Sequence, residues 1–250
     1  MRIAVIGYGV MGHIIADCAR KRGHDVVATI DPVAADATHK DIASGVKDAE
    51  VCIDFTHPTA AVGNIKAVMA AGKRLVIGTT GWYGQLDEVK PLVKTALLYS
   101  PNFSIGVNIF FRMVSGAAQL FNPFPDYDVY SYELHHTRKA DSPSGTGKRL
   151  GELLLAGLDR KDTLIFDKLD RPRKDNELHV ASVRAGNIPG THVVGFDSDV
   201  DSIEMVHTAK NREGFALGAV IAAEWILDKK GVFSIDDLMD DVLRGRMPSS

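Results

Sequence analysis

Residues 2–31 read RIAVIGYGVMGHIIADCARKRGHDVVATID, and this stretch decides the fold. Arg2–Ile6 is a short, nearly continuous apolar run, which is typical of a buried parallel strand. A glycine-rich turn and an amphipathic helical pattern follow, and Gly23 is well placed to end that helix. Asp25–Ile30 has the composition of a second strand. The order strand, turn, helix, strand predicts the first βαβ unit of a parallel sheet.

The turn has the GxGxxG spacing of a dinucleotide-binding site. Gly7, Gly9 and Gly12 allow a tight turn and a close approach of a pyrophosphate to the backbone. Asp31 ends the second strand nineteen residues after Gly12, where a carboxylate can accept hydrogen bonds from a ribose. GxGxxG alone is weak, but this complete arrangement predicts a Rossmann-type domain. The cofactor contacts predicted here are Gly7, Tyr8, Gly9, Val10, Met11, Gly12 and Asp31.

Strands and helices continue to alternate up to about residue 104, which favours a parallel sheet with helices on both faces. A helix around 85–94 contains Pro91, so we expect a kink or a break there. Further strands are predicted over 50–55, 74–77 and 96–99. Ligands sit in the loops at the carboxyl ends of such strands, although turn-forming residues are common in any loop. The loops concerned are DFTHP (54–58), GTTG (78–81) and SPNFS (100–104).

From residue 105 the pattern changes, because the strands cluster instead of alternating with helices. After a helix and a strand over 128–134, strand-like runs are predicted over 178–184, 192–197 and 202–208. The tail, with an Asp-rich helix near 235–243, is too short to be a domain, and we expect it to pack on the first one. The predicted fold is α/β: a Rossmann-type dinucleotide-binding domain (1–104 and 213–250) and a smaller α+β domain with a mixed sheet (105–212).

The loop after the strand over 128–134 concentrates the polar chemistry of the chain. The stretch YELHHTRKADSPSGTGKR (132–149) places two histidines and a lysine before a small-residue turn and a helix, with Ser144 or Thr146 as the N-cap. A helix N-terminus preceded by such residues can bind an anion. A phosphate-binding P-loop would need Gly at Ser142 and Ser or Thr at Arg149. A solvated basic loop is the plain alternative, but the combination favours a pocket for an anionic substrate that receives a proton.

This stretch closely resembles the signature of the dihydrodipicolinate reductase family, which reads E-(apolar)-H-H-x-x-K-x-D-x-P-S-G-T. Gly147 stands where the family often has Ala, a change of one small residue for another. The matching residues are Glu133, His135, His136, Lys139, Asp141, Pro143, Ser144, Gly145 and Thr146. The segment SVRAGNIPGTHVVGF (182–196) resembles a second family pattern through Arg184, Gly186, Gly190 and His192, although a hairpin with a glycine-containing loop would also explain it.

The resemblance implies a reductase of lysine and diaminopimelate biosynthesis that transfers a hydride from NAD(P)H to a cyclic, imine-like dicarboxylate. It implies His135 as the general acid and Lys139 as a cationic proton donor. The substrate carboxylate would be held by His136, Gly145 and Thr146, with Arg212 a weaker candidate. It further implies a homotetramer assembled through the second domain. The cofactor contacts that it adds are Gly78, Thr79, Thr80, Ser100, Pro101, Asn102 and Phe103, whereas DFTHP ranks lower.

The choice between NADH and NADPH depends on Asp31. A 2′-phosphate beside its carboxylate would meet like charge, and the usual remedy is a nearby Arg or Lys. The next five residues, PVAAD (32–36), contain no basic side chain. His39 and Lys40 are the first cations available, and they would need a folded loop to reach back. We therefore expect NADH to be favoured, with NADPH also accepted.

Composition limits the other classes of partner. The formal net charge of −3 gives no reason to expect nucleic acid or an anionic membrane surface, and no apolar run approaches the length of a membrane span. The only cysteines, Cys18 and Cys52, are expected in a helix and a strand, so a disulfide framework is not expected. The N-terminus lacks a signal-peptide pattern, which favours a cytoplasmic protein. No metal site is predicted.

Two other functions fit the scaffold. One is a different nicotinamide oxidoreductase, such as an amino-acid or semialdehyde dehydrogenase. A semialdehyde dehydrogenase that forms an acyl-enzyme needs a nucleophilic cysteine, and both cysteines here are expected to be buried. The other is a non-enzymatic redox sensor that binds dinucleotide. A sensor has no need of His135 and Lys139 beside an anion site, and it would show no turnover.

Overall fold

A computed structural model of the chain describes residues 1–166 and 168–246, which fold as two compact units. The first unit contains Met1–Ile105 and the segment that begins at Arg212, and the second contains Gly106–Asn211. Up to residue 104 the elements are β1 (Arg2–Ile6), α1 (Val10–Lys21), β2 (Asp25–Ile30), α2 (Ile42–Gly45), β3 (Val51–Asp54), α3 (Pro58–Ala70), β4 (Arg74–Ile77), α4 (Leu86–Val89) and β5 (Ala96–Tyr99).

The remaining elements belong partly to each unit. The second unit contains α5 (Ile105–Phe121, from its second residue), β6 (Asp128–His135), α6 (Gly145–Gly157), β7 (Thr163–Ile165), β8 (Glu177–Arg184), β9 (Thr191–Asp197) and β10 (Ser202–Thr208). The chain then returns to the first unit with α7 (Glu213–Trp225), β11 (Gly231–Ser234) and α8 (Ile235–Leu243).

The first unit is a six-stranded parallel sheet in the order β11-β5-β4-β3-β1-β2. Both of its faces are covered, which is why its strands are apolar along their length. Ile3 and Val5 of β1 pack in one core with α1, α7 and α8, whereas Ala4 and Ile6 pack in another with α3. The Rossmann-type architecture predicted from the sequence is confirmed.

The second unit is a five-stranded mixed sheet in the order β10-β9-β6-β8-β7. The central strand β6 runs parallel to β8 and antiparallel to β9. The helices α5 and α6 contribute to the core of this unit together with Val129 of β6. Because side chains alternate along a strand, Glu133 and His135 share the buried face of β6 with Val129. The buried face of β6 therefore ends with two polar side chains, those of Glu133 and His135.

The structure corrects several predicted boundaries. His135, expected in the loop, is the last residue of β6, and the strand expected over 50–55 is β3, which spans Val51–Asp54. The break expected at Pro91 is confirmed, since α4 ends at Val89 and a 3₁₀ turn follows. The sequence patterns do not predict α2, β7 or β11. Within the described residues, no helix combines the length and apolar character needed to cross a membrane.

Candidate cofactor and substrate sites

The glycine turn between β1 and α1 has the shape that a pyrophosphate needs. Gly7 has φ +85°, and a Cβ on it would lie 2.4 Å from the carbonyl oxygen of Phe55, so only glycine fits there. Above Gly9 the space is open, with no described atom within 4 Å of a Cβ position. Gly9 is the N-cap of α1, and within the described chain no side chain caps this helix. The amides of its first turn are therefore available to an anion.

Asp31 lies against this turn at the end of β2. Its Oδ2 accepts a hydrogen bond from the backbone N–H of Tyr8 at 2.9 Å. Its Oδ1 accepts from the N–H groups of Ala34 at 2.9 Å and Val33 at 2.8 Å. These bonds, of which the one from Ala34 contributes most, hold the pKa of Asp31 below its usual range, and burial opposes them. Asp31 is thus an ionised acid beside the glycine turn.

The loop after Asp31 folds back on itself. The N–H of Asp31 donates to the carbonyl of His39, and the N–H of His39 donates to Thr29, both at 3.0 Å. Lys40 consequently lies near the start of the loop, where its Nζ donates to the carbonyl of Ala34 and its charge further lowers the pKa of Asp31. From the sequence, Lys40 would need such a fold to reach Asp31. The structure supplies that fold.

His13 is a residue at this end of the unit that the sequence analysis passed over. Its ring stacks on Tyr8 with centroids 4.0 Å apart, and its Nε2 lies 2.7 Å from Oδ2 of Asp36. A hydrogen bond to the carbonyl of Gly9, and then the one to Asp36, raise the pKa of His13. His13 therefore joins the glycine turn to the loop that follows β2.

The loops after β3 and β4 are joined through Asp54, a fully buried carboxylate. Its Oδ1 accepts from the hydroxyls of Thr79 at 2.7 Å and Thr56 at 2.8 Å, and its Oδ2 accepts from Asn64 at 2.8 Å. Burial raises the pKa of Asp54, and these bonds oppose that effect. The hydroxyl of Thr79 is thus turned inward, whereas Thr80 beside it is exposed.

The other predicted cofactor contacts differ in exposure. Gly78 is close-packed, since a Cβ there would lie 2.3 Å from the ring of Phe55. Ser100 is buried, and its hydroxyl donates to the carbonyl of Asn102 at 2.8 Å. Phe103 is also buried. Val10 and Pro101 are exposed, and Met11 and Asn102 are half-buried. The buried side chains shape these loops, so any contact that they make with a cofactor would come mainly from the backbone.

The second unit carries its polar cluster at the end of β6. Oε1 of Glu133 accepts from the N–H of Ser144 at 2.9 Å, from Nη2 of Arg184 at 2.8 Å and from Oγ of Ser182 at 3.1 Å. The hydroxyl of Ser144 donates to Oε2 in a short hydrogen bond. Burial opposes ionisation of Glu133, but the bonds from Ser144 and Arg184 outweigh it and hold its pKa below the usual range. Glu133 is a buried, ionised and ion-paired acid.

Two imidazoles face this carboxylate. Nδ1 of His135 lies 3.6 Å from Oε1 of Glu133, and Nδ1 of His192 lies 3.7 Å from Oε2. Both distances are longer than a hydrogen bond allows, and neither Nδ1 has another partner among the described residues. Burial lowers the pKa of His135, and it lowers that of His192 to about 4, so the His192 ring is neutral at neutral pH. Glu133 opposes the effect in each case.

The start of α6 completes the cluster. Ser144 is the N-cap, and its hydroxyl accepts from the N–H of Gly147 at 3.0 Å. Gly145 is exposed and Thr146 is half-buried in the first turn, so the N-terminal amides of α6 lie at an accessible end. Nζ of Lys139 donates to Asp141 at 2.8 Å in the preceding loop. The side chain of Lys139 is 24% exposed, so its ammonium can be reached from solvent.

A metal ion is a further possibility to test at this place. One ligand atom from each of Glu133, His135 and His192 lies within 4.8 Å of the others, and neutral imidazoles suit a metal. However, Arg184 already supplies a positive charge 2.8 Å from Oε1 of Glu133, and a cation placed there would be repelled by it. The arrangement is better suited to holding a proton than a metal.

Two family models together match nearly the whole chain. The N-terminal model of dihydrodipicolinate reductase matches residues 1–103, and its C-terminal model matches residues 106–239. The chain belongs to the dihydrodipicolinate reductase family. This confirms the resemblance drawn from the sequence. Membership of this family makes the chain an enzyme, an NAD(P)-dependent oxidoreductase of lysine and diaminopimelate biosynthesis, and it decides against a non-enzymatic redox sensor.

Relatives within the family cover the chain from end to end. A 4-hydroxy-tetrahydrodipicolinate reductase of Christiangramia forsetii is 38% identical over 247 residues, which is 98% of this chain and 100% of that protein. One from Archaeoglobus fulgidus is 36% identical over 96% of this chain and 100% of that protein. The dipicolinate-bound dihydrodipicolinate reductase of Paenisporosarcina sp. TG-14 superposes with a TM-score of 0.77 at 22% identity, covering 94% and 97% of the two chains. At that identity it shows the shared fold.

The family motif contains residues to which the sequence analysis gave no role. Glu133, Arg184 and His192 match the family patterns, and the structure brings all three to His135. The sequence signal for Glu133 was the alternation in β6, which places it on the same face as His135, two residues away. Ser144, one of two N-cap candidates in the sequence, is the N-cap of α6 and also donates two hydrogen bonds to Glu133. Arg212, the weaker substrate candidate, is exposed and lies in the first unit.

Proposed function

We propose that this protein reduces 4-hydroxy-tetrahydrodipicolinate to tetrahydrodipicolinate, with His135 as the general acid and NADH as the favoured cofactor. The observation that carries the proposal is the position of His135. It lies on the buried face of β6 beside the ionised Glu133, and Ser144 links that carboxylate directly to the N-terminus of α6. A proton donor and an anion site are thus built into one motif.

The cofactor would be held by the first unit. The open space above Gly9 and the uncapped amides of α1 fit a pyrophosphate, and Asp31 can accept a hydrogen bond from a ribose hydroxyl. The loops that Asp54 joins, 54–58 and 78–81, lie at the carboxyl ends of β3 and β4, where ligands sit in such sheets. Bound NAD(P)H supplies the hydride.

The substrate is a dicarboxylate, and the second unit offers groups suited to it. Gly145 and Thr146 present the first amides of α6 to a carboxylate, and His136 adds a polar side chain at the end of β6. Hydride addition builds negative charge on the substrate, which the imidazolium of His135 quenches by giving up a proton. The ammonium of Lys139 assists as a second proton donor and favours departure of the 4-hydroxyl as water.

Preference for NADH is argued from Asp31. Its carboxylate is ionised and would repel a 2′-phosphate, as the sequence analysis expected. The folded loop nevertheless brings Lys40 to the same place, so a cation is available for that phosphate. We therefore infer a modest preference for NADH, with NADPH accepted through Lys40. The ratio of kcat/KM for the two cofactors tests this.

A homotetramer and a cytoplasmic location complete the proposal. The tetramer follows from the family resemblance. The location follows from the sequence patterns and from the two cysteines, Cys18 and Cys52, which are free thiols as expected in a reducing compartment. The test of function is to follow loss of the reduced nicotinamide absorbance when the freshly made product of the preceding synthase is added. Absence of turnover with both cofactors would refute the proposed function, and light scattering of the same preparation gives the assembly.

A further inference from the structure

Glu133 has more polar partners than its ion pair with Arg184 alone would require. It is 1% exposed, and its four hydrogen bonds come from the start of α6 and from β8. The two imidazole Nδ1 atoms, on β6 and β9, face the same carboxylate and lack other partners among the described residues. A single buried charge thus touches four elements of the second unit. Packing alone does not account for this, because an apolar residue would fill the same space without the cost of burying a charge.

The distances indicate what the carboxylate does to His135. At 3.6 Å, Nδ1 of a neutral ring is too far from Oε1 for a good hydrogen bond. Protonation adds a positive charge to the ring, and a small movement then makes a charge-assisted bond to Glu133. Such a bond holds the Nδ1 proton of His135 towards Glu133. The other ring nitrogen, Nε2, then points away from Glu133. The ring orientation and the protonation state are therefore coupled.

We propose that Glu133 is the positioning residue of this site: it orients His135, favours its imidazolium, and through Ser144 fixes the N-terminus of α6 that receives the substrate carboxylate. This proposal rests on the proposed function, since it assigns Glu133 a part in that reaction. Glu133 is only 1% exposed, so it acts through His135 and Ser144.

The charges around His135 act in both directions. Burial lowers its pKa most, Glu133 raises it, and Lys139 and Arg184 lower it. Asp141 raises it to a smaller extent and is itself ion-paired with Lys139. His192 lies in edge-to-face contact, with ring centroids 5.1 Å apart, and burial keeps it neutral. Glu133 is therefore the main group that keeps His135 protonatable, and removing it or Arg184 should move the pKa of His135 in opposite directions.

The test is an NMR titration of the imidazoles in the full-length protein, with the His135 signal assigned through His135→Gln. Glu133→Gln should lower the pKa of His135 by about 1 unit or more, the usual effect of a close opposite charge. Arg184→Gln should raise it, because a positive neighbour is lost. The matched control is Glu177→Gln in the same unit, since Glu177 is also buried and bonds Arg171 at 2.7 Å. It should leave the pKa of His135 unchanged.

Activity gives a second readout. A general acid must be protonated, so kcat/KM falls as the pH rises through its pKa. Glu133→Gln should move this limb to lower pH and raise the KM for the dicarboxylate, while the KM for NADH stays the same. An unchanged pKa of His135 in Glu133→Gln, or an equal shift in Glu177→Gln, would overturn the proposal. If Glu133→Gln does not fold, the test uses Arg184→Gln. A pKa of His135 that does not rise in Arg184→Gln would then overturn the proposal. The titration needs no turnover, so its result is separate from the test of function.

Discussion

Replacing Asp54 by alanine should destabilise the first unit and weaken its affinity for NADH. The variant removes the acceptor of two hydroxyls, those of Thr79, a residue 4% exposed, and Thr56. The two hydroxyl oxygens lie 3.4 Å apart, so one can donate to the other but at least one donor is left without an acceptor. The amide of Asn64 and the N–H of Thr56 lose one bond each but keep another, to Thr56 Oγ1 and Thr79 Oγ1 respectively. The affected groups set the positions of loops 54–58 and 78–81, which we expect to lie at the cofactor.

The expected loss follows from these partners. An orphaned buried donor costs about 1–3 kcal/mol, and a lost hydrogen bond to a charged acceptor costs about 1.5–3 kcal/mol. Against this, the variant removes a fully buried carboxylate whose desolvation is unfavourable, an effect also seen in the raised pKa of Asp54. The net loss in the free energy of unfolding should be about 3 kcal/mol, the lower part of the combined range.

Trp82 provides the assay. It is buried, and its Nε1 donates to the carbonyl of Thr79 at 2.8 Å, so its fluorescence reports on this loop. Urea unfolding would be followed in a Trp225→Phe background, which leaves one tryptophan. The control Asp41→Ala removes an exposed carboxylate whose hydrogen-bond partner among the described residues is Ser44, at the start of its own helix, and it should cost clearly less.

A double-mutant cycle decides whether the bond itself is responsible. Thr79→Val removes the donor, so Asp54→Ala should cost at least about 1 kcal/mol less in that background than in the unmodified protein. Strict additivity of the two changes, or a cost of Asp54→Ala no greater than that of Asp41→Ala, would refute the reasoning.

Three further outcomes are expected. His135→Gln and Lys139→Ala should each lower kcat by about a hundredfold or more, the size of general acid catalysis, and near-normal turnover would remove the residue concerned from the mechanism. Thr146→Val should weaken substrate binding by about 1 kcal/mol and leave the dissociation constant of NADH unchanged, and an equal loss of both ligands would contradict its placement at the substrate. Lys40→Met should lower kcat/KM with NADPH but not with NADH, and a parallel loss with both cofactors would show that Lys40 only supports the loop beside Asp31.

Local patterns were sufficient for most of the first unit. The strands Arg2–Ile6, Asp25–Ile30, Arg74–Ile77 and Ala96–Tyr99 are found with the predicted boundaries. The strands β1, β4 and β5 are buried over most of their length, so their apolar runs are nearly continuous and can be recognised without knowing their neighbours. The edge strand β2 is buried only over its last three residues, but its β-branched residues still show the pattern. The turn after β1 was equally recognisable, because its GxGxxG spacing is a local pattern. A Cβ on Gly12 would lie 2.1 Å from the carbonyl oxygen of Gly7, and Gly7 has a positive φ.

Short strands could not be found in this way. β11, Gly231–Ser234, has four half-buried residues, too few to show a period. It is a strand because it pairs in parallel with β5, more than one hundred residues earlier in the chain. β7, Thr163–Ile165, depends in the same way on β8. Such pairing is a long-range contact, and local sequence does not encode its partner.

The candidate site shows the same difference between what local sequence predicts and what depends on long-range contacts. The sequence by itself determined which residues are proposed to carry the chemistry, since His135, Lys139 and the start of α6 fall within one stretch of eighteen residues, 132–149. Only the tertiary structure decided how they are arranged. The strand order β9-β6-β8 brings His192 and Arg184 to Glu133 across some fifty residues of chain or more, and the loop after Asp31 has to close before Lys40 can reach it. The physical reason is that a buried charge is stable only when its partners converge on it from several elements, and the folded chain alone provides that convergence.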